Sequence, residues 1–267
     1  WMNNFTLYND IINKFGNVPT AYNNRGIAYW KQNAYEKALT DFDKAVSLDP
    51  LTAEHYSNRG NIKKTLGDYQ GALNDFNQAI VLDRKSAAAY CGRGDLKVKL
   101  QDYDRALNDY ERAIAVSPEN AIAYYGRASI YVIKEDFDAA LKDYDKAILL
   151  DPYRGGDVYY KRAYIYMIRE DFPSALKDYN RAIQFSPNHV DALLNRGFTR
   201  FRMNDMAGAI EDYTRVIMHA PTYHDAYQNR GLLKWMKNDK AGACSDWRLA
   251  AQLGGKDAQE KVADYCR

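Results

Sequence analysis

Seven arginines recur at a fixed interval, Arg25, Arg59, Arg93, Arg127, Arg162, Arg196 and Arg230, with a step of 34 residues and once 35. An aspartate follows each by 16 residues, giving Asp41, Asp75, Asp109, Asp143, Asp178, Asp212 and Asp246. Two chemistries suit such a ladder. Free guanidinium groups in a row would bind anions, because each offers a planar fork of donors to phosphate or carboxylate. Paired with the aspartates, the same groups would form partly buried bidentate fastenings. The constant offset favours the second, since an unpaired buried charge is costly and every arginine has a partner. Other reactive groups are sparse. His189, His219 and His224 fall in chain junctions without metal-ligand spacing, and the register places no histidine near Cys91 to activate it. No glycine-rich phosphate loop, nucleophile elbow or His-Glu-x-x-His motif occurs. The expectation is a protein that is not an enzyme and carries no metal or cofactor.

A period of this length requires stacked helical hairpins to position the charged ladder. Numbering units from Pro19, Ala53, Ala87, Ala121, Gly156, Val190 and His224 puts every arginine at position 7 and every aspartate at position 23. Position 4 is Tyr22, Tyr56, Tyr90, Tyr124, Tyr159, Leu193 and Tyr227, and position 8 is always glycine or alanine. Position 20 is always alanine, and position 24 is Phe42, Phe76, Tyr110, Tyr144, Tyr179, Tyr213 and Trp247. At roughly 100° per residue, positions 4, 8 and 11 share a face of a first helix, and 20, 24 and 27 a face of a second. Asp68, Asp102, Asp136, Asp171, Asp205 and Asp239 stand where they would cap the second helices. Pro50, Pro118, Pro152, Pro187 and Pro221 close the units.

This pattern of aromatic, small, alanine, aromatic and proline resembles the tetratricopeptide repeat (TPR) family, with seven complete units at 19–52, 53–86, 87–120, 121–155, 156–189, 190–223 and 224–257. Residues 1–18 read as a partial repeat with only its second helix, and 258–267 as a capping helix. The resemblance implies an all-α, right-handed superhelical solenoid of antiparallel helix pairs whose concave surface holds a peptide or a partner's helix. Some members grip a C-terminal carboxylate with basic residues on successive first helices. Asn24 and Asn58 match the asparagine position of that clamp, but Gly92 stands where an arginine would be wanted, so such a ligand is not expected.

Positions 2, 5, 6, 9, 12 and 13 of the first helices lie opposite the face assigned to packing, and there the units differ. The candidate groove residues are Asn24, Asn58, Asn61, Asp95, Tyr125, Tyr160, Lys161, Tyr164, Asn195, Phe198, Phe201, Asn229 and Trp235. Gly92 and Gly126 at position 6 would open a pocket beside Asp95 and Tyr125. Apolar groups on an exposed face are the informative exception, so a peptide segment with apolar anchors between Tyr160 and Trp235 is expected, its backbone meeting the asparagine amides.

Composition narrows the partners. The 37 basic and 35 acidic residues leave a net charge of +2, which provides no broad field for nucleic acid or an anionic membrane. No apolar run is long enough to span a bilayer. Cys91, Cys244 and Cys266 match neither a disulfide framework nor a zinc pattern. The chain begins within a unit, so a longer native N-terminus is expected, and partner, pathway and compartment are not legible. Two alternatives stand beside the scaffold reading. One is a homo-oligomer formed through an open N-terminal edge at Phe5 and Ile12; the other is a regulatory fragment of a larger protein. The repeat style resembles bacterial versions of the family.

Overall fold

The computed structural model describes residues 4–153 and 155–266, so parts of the 1–18, 121–155 and 258–267 segments lie outside the described residues. All the regular structure among them is helical, and the chain divides into two compact units, one ending at Leu150 and the next beginning at Asp151.

In the first unit, α1 (Asn4–Phe15) is followed by four hairpins. Their first helices are α2 (Pro19–Lys31), α4 (Ala53–Leu66), α6 (Ala87–Lys99) and α8 (Ala121–Ile133). Their second helices are α3 (Tyr35–Leu48), α5 (Tyr69–Leu82), α7 (Tyr103–Val116) and α9 (Phe137–Leu150). The second unit has three hairpins: α10 (Gly156–Ile168) with α11 (Phe172–Phe185), α12 (Val190–Arg202) with α13 (Met206–His219), and α14 (His224–Met236) with α15 (Lys240–Gln252). A last helix, α16 (Lys256–Tyr265), packs on α15. Within each unit, a second helix packs on the next first helix, and neighbouring first helices also touch.

Local chemistry sets the hairpin turns. The residue ahead of each second-helix cap is left-handed, from Asn33 at φ 58° to Gly67 at φ 87°. The cap aspartate then accepts a backbone N–H three residues on, as in Asp68 from Gly71 at 2.8 Å and Asp239 from Gly242 at 2.9 Å.

The interior is built from the position 24 rings and the position 20 alanines, all buried. Small residues at position 8 admit the ring: a methyl added at Gly197 would lie 2.8 Å from Tyr213, and one at Gly231 would lie 2.7 Å from Trp247. On the first helix the packed face is centred differently from the wheel above. Positions 3 and 10 carry the buried residues, such as Ala89 with Leu96 and Ala192 with Thr199, while most position 4 tyrosines sit at the margin. Tyr22, Tyr56 and Tyr159 donate their hydroxyls to the backbone carbonyls of Gly16, Pro50 and Pro152. The margin is a gain for a phenol, whose hydroxyl is costly to bury unbonded.

Position 3 has one exception to alanine or valine, His55, which is 2% exposed with both ring nitrogens lacking a hydrogen bond. Burial lowers its pKa, partly offset by Asp49, 4.0 Å away, and by Glu54. A group held neutral in the fold contributes stability that is complete above its ordinary pKa of 6.5 and is lost as pH falls below it. Melting of the native protein should therefore drop more steeply between neutral and mildly acidic pH than melting of His55→Ala. Parallel pH profiles of the two would contradict this account.

The N-terminal edge also differs from expectation. Phe5 is not free: its ring packs edge-on against Tyr29 at 4.9 Å, and Ile12 is partly covered. The exposed apolar residues of α1 are Leu7 and Phe15.

Candidate functional site

The ladder residues meet within each hairpin. Every position 7 arginine donates from Nε and Nη2 to both carboxylate oxygens of the aspartate of its own unit. The Nε–Oδ2 distances run from 2.6 Å at Arg162 to 3.0 Å at Arg93. The Nη2–Oδ1 distances run from 2.5 Å at Arg196 to 2.8 Å at Arg127 and Arg162. The aspartates are buried. Their hydrogen bonds, outweighing burial, hold Arg25 and Arg127 above the ordinary arginine pKa. The fork is thus filled from inside the fold, which leaves no row of open anion sites.

Further partners surround each pair. The remaining Nη1 reaches the preceding second helix, 16 residues back, where Arg25 donates to Asn9 at 2.8 Å and Arg93 to Asn77 at 2.7 Å. Arg59, Arg196 and Arg230 similarly meet Asp43, Asn180 and Thr214. Five of the seven arginines therefore tie two consecutive hairpins. At position 11 the chain alternates two solutions. Lys63, Lys97, Arg200 and Lys234 place a second cation on the aspartate at 2.7 to 3.0 Å, whereas Tyr29, Tyr131 and Tyr166 turn an aromatic ring toward the guanidinium. The signal for this is present in the sequence, where position 11 is basic or tyrosine in every unit.

On the opposite side of the first helices, the first unit presents a polar surface bonded to itself. Asn58 donates to Asn23 at 2.9 Å, and Asn23 donates to Glu54 at 3.3 Å. Asp95 accepts from Tyr110 Oη at 2.6 Å and from Lys64 at 3.1 Å. Burial first, and then Asp95, drive the Tyr110 phenol well above its ordinary pKa. Asn24 and Asn61 are half-buried on this face, and Tyr125 lies 6.0 Å from the Tyr144 ring. At Gly92 and Gly126 the space expected to open a pocket is occupied. A methyl at either glycine would come within 2.4 Å of Phe76 or Tyr110, so the missing side chains make room for the ring of the preceding hairpin.

The second unit is apolar on the equivalent face. Tyr164 and Phe198, both at position 9, are 39% and 37% exposed, and Ile168 and Met236 are exposed at position 13. Tyr160 stacks near His189 at 4.8 Å and accepts from Asn195 at 3.5 Å, and Lys161 and Asn229 are half-buried beside them. Two expected anchors are used internally. Phe201 packs against the cluster of Tyr213 and Leu233. Trp235 is enclosed by Trp247 at 5.6 Å and Tyr265 at 5.1 Å. Tyr265 is held there by a Cys244–Cys266 disulfide at the end of α16, which corrects the expectation that the cysteines match no disulfide framework. Cys91 is buried and takes no part in a disulfide. Among the described residues no helix is long and apolar enough to cross a membrane, and no group of three metal-ligating side chains converges.

Profiles described as tetratricopeptide repeat match residues 19–50, 91–157, 134–190 and 163–234, and one described as TPR repeat matches 60–101. Comparison with curated protein sequences yields no match. Solved structures share the fold. YrrB, described as a TPR protein with an unusual peptide-binding site, is 24% identical with a TM-score of 0.64 over 70% of this chain and 97% of its own. PilF of Pseudomonas aeruginosa is 17% identical with a TM-score of 0.70 over 76% of this chain and 92% of its own. The Cut9–Hcn1 hetero-tetramer of the APC/C supplies a chain 15% identical with a TM-score of 0.76, matched over 86% of this chain and 45% of its own.

Proposed function

We propose, from the premise that this chain belongs to the tetratricopeptide repeat family of protein-interaction scaffolds, that it is non-enzymatic and binds a peptide segment or partner helix on the first-helix face of its second unit. The observation that carries this reading is the exposed row of Tyr164 and Phe198 on α10 and α12. Large apolar side chains cost free energy in water, and a row of them on the face left open by packing is what an apolar anchor covers. Tyr160, Lys161, Asn195 and Asn229 flank the row and supply donors and acceptors for a bound backbone. On the first unit the equivalent face, with Asn24, Asn58, Asn61 and Asp95, is polar. YrrB, with its peptide-binding site, supports the reading by analogy of fold alone.

The test uses short random peptides displayed on phage, selected against the full chain. Selected peptides should lose at least about tenfold in affinity, roughly 1.4 kcal/mol, for Tyr164→Ala/Phe198→Ala, with melting unchanged. Equal retention by the variant would sink the groove reading. A second reading, self-association through α1, rests on exposed Leu7 and Phe15. It requires a concentration-dependent dimer in light scattering that Leu7→Glu/Phe15→Glu abolishes.

A further inference from the structure

Resting on that reading, we propose that the segment bound by the second unit carries a lysine or arginine beside its apolar anchors, the cation docking at Asp191 on the side of α12 that meets Tyr160. Asp191 lies one helical turn before Asn195 on α12, and Asn195 contacts the Tyr160 hydroxyl at 3.5 Å, so the carboxylate and the phenol share one side of the helix. Asp191 is exposed and, among the described residues, pairs with no cation. The cations of α10 and α12 are committed elsewhere. Arg196 is bonded to Asp212, Arg202 donates to Glu170 at 3.0 Å and lies over Phe172, and Lys161 is itself engaged.

The tyrosines bear the mark of this negative field. Burial first, and then Asp191, raise the Tyr160 pKa to about 12, and the same two causes, with Asp225, raise that of Tyr223. Burial disfavours any charge, but the Asp191 contribution is a negative potential that favours an ammonium or guanidinium, and a tyrosine face beside a carboxylate adds cation–π attraction to the ion pair. An acidic or neutral segment would leave Asp191 facing its backbone uncompensated. Phe198, two turns beyond Asp191 on the same stripe of α12, sets the apolar anchor at the next position along the bound chain.

Aspartate in a first helical turn also stabilises the helix through its dipole, and Asp157 holds the same place in α10. Asp157 adds to the negative field on Tyr160, so the control for Asp191→Asn is Glu36→Gln in the first turn of α3. The probes are peptides selected from a random displayed library against the full chain, synthesised with their basic residue and with glutamine in its place. Selected peptides should be rich in Lys or Arg next to Leu or aromatic residues. The glutamine copy should bind about fivefold more weakly to the native protein and to Glu36→Gln, yet no more weakly than the basic peptide to Asp191→Asn. Enrichment of neutral or acidic sequences, or an undiminished lysine effect in Asp191→Asn, would overturn the proposal while sensitivity to Tyr164→Ala/Phe198→Ala kept the groove reading. Selected peptides indifferent to that double variant would remove both.

Discussion

Arg127→Leu is expected to destabilise the protein by about 3 kcal/mol, and adding Asp143→Leu should restore most of that loss. Asp143 is buried and receives both donors of the Arg127 fork at 2.7 and 2.8 Å. Position 11 of this hairpin is Tyr131, so no second cation replaces the guanidinium when it is removed. A buried carboxylate left alone must be desolvated without compensation, whereas two leucines bury apolar surface without charge. The neighbouring hairpin gives the control. In Arg93→Leu, Lys97 remains 2.7 Å from Asp109, so the cost should be roughly half as great. Denaturant melts of the three variants check the ordering. Equal losses for Arg127→Leu and the double variant would show that the pair does not act as a unit. Equal losses for Arg127→Leu and Arg93→Leu would show that the second cation contributes nothing.

Breaking the Cys244–Cys266 disulfide is the other large effect. The bridge closes a segment of sequence separation 22, for which the loss of the cross-link is about 3 kcal/mol. Its structural consequence extends beyond α16. Tyr265 would no longer be held over Trp235, exposing an indole on the face proposed for binding. Cys266→Ser should therefore lower the melting temperature and raise the accessibility of Trp235 to a fluorescence quencher. Addition of reductant to the native protein should do the same. Unchanged melting and quenching would contradict the role given to the bridge. The remaining thiol, Cys91, is buried and needs no part in the response.

What could be read from sequence followed from strict recurrence. Seven arginines and aspartates at one offset specify a register, and a register specifies which residues share a helix face. The same recurrence contained the basic-or-tyrosine choice at position 11, which three-dimensional pairing makes plain. The wheel was misjudged where a side chain is amphipathic. Tyr22 and Tyr56 count as large and apolar in a pattern, yet each bridges the margin to a carbonyl, and the small Ala89 and Ala192 occupy the tightly packed position instead. The groove was harder because its residues are not repeated. Nothing periodic shows that Tyr110 fills the gap at Gly126, or that Tyr265 covers Trp235 from a helix outside the array. A disulfide between residues of different helices depends on geometry that spacing alone does not reveal.

Amide hydrogen exchange on the full chain, with and without a selected peptide, tests the central claim most directly. The account predicts added protection in α10 and α12, where Tyr164 and Phe198 are exposed, with little change in α11 and α13. Protection confined to the second helices, or to α1, would contradict it.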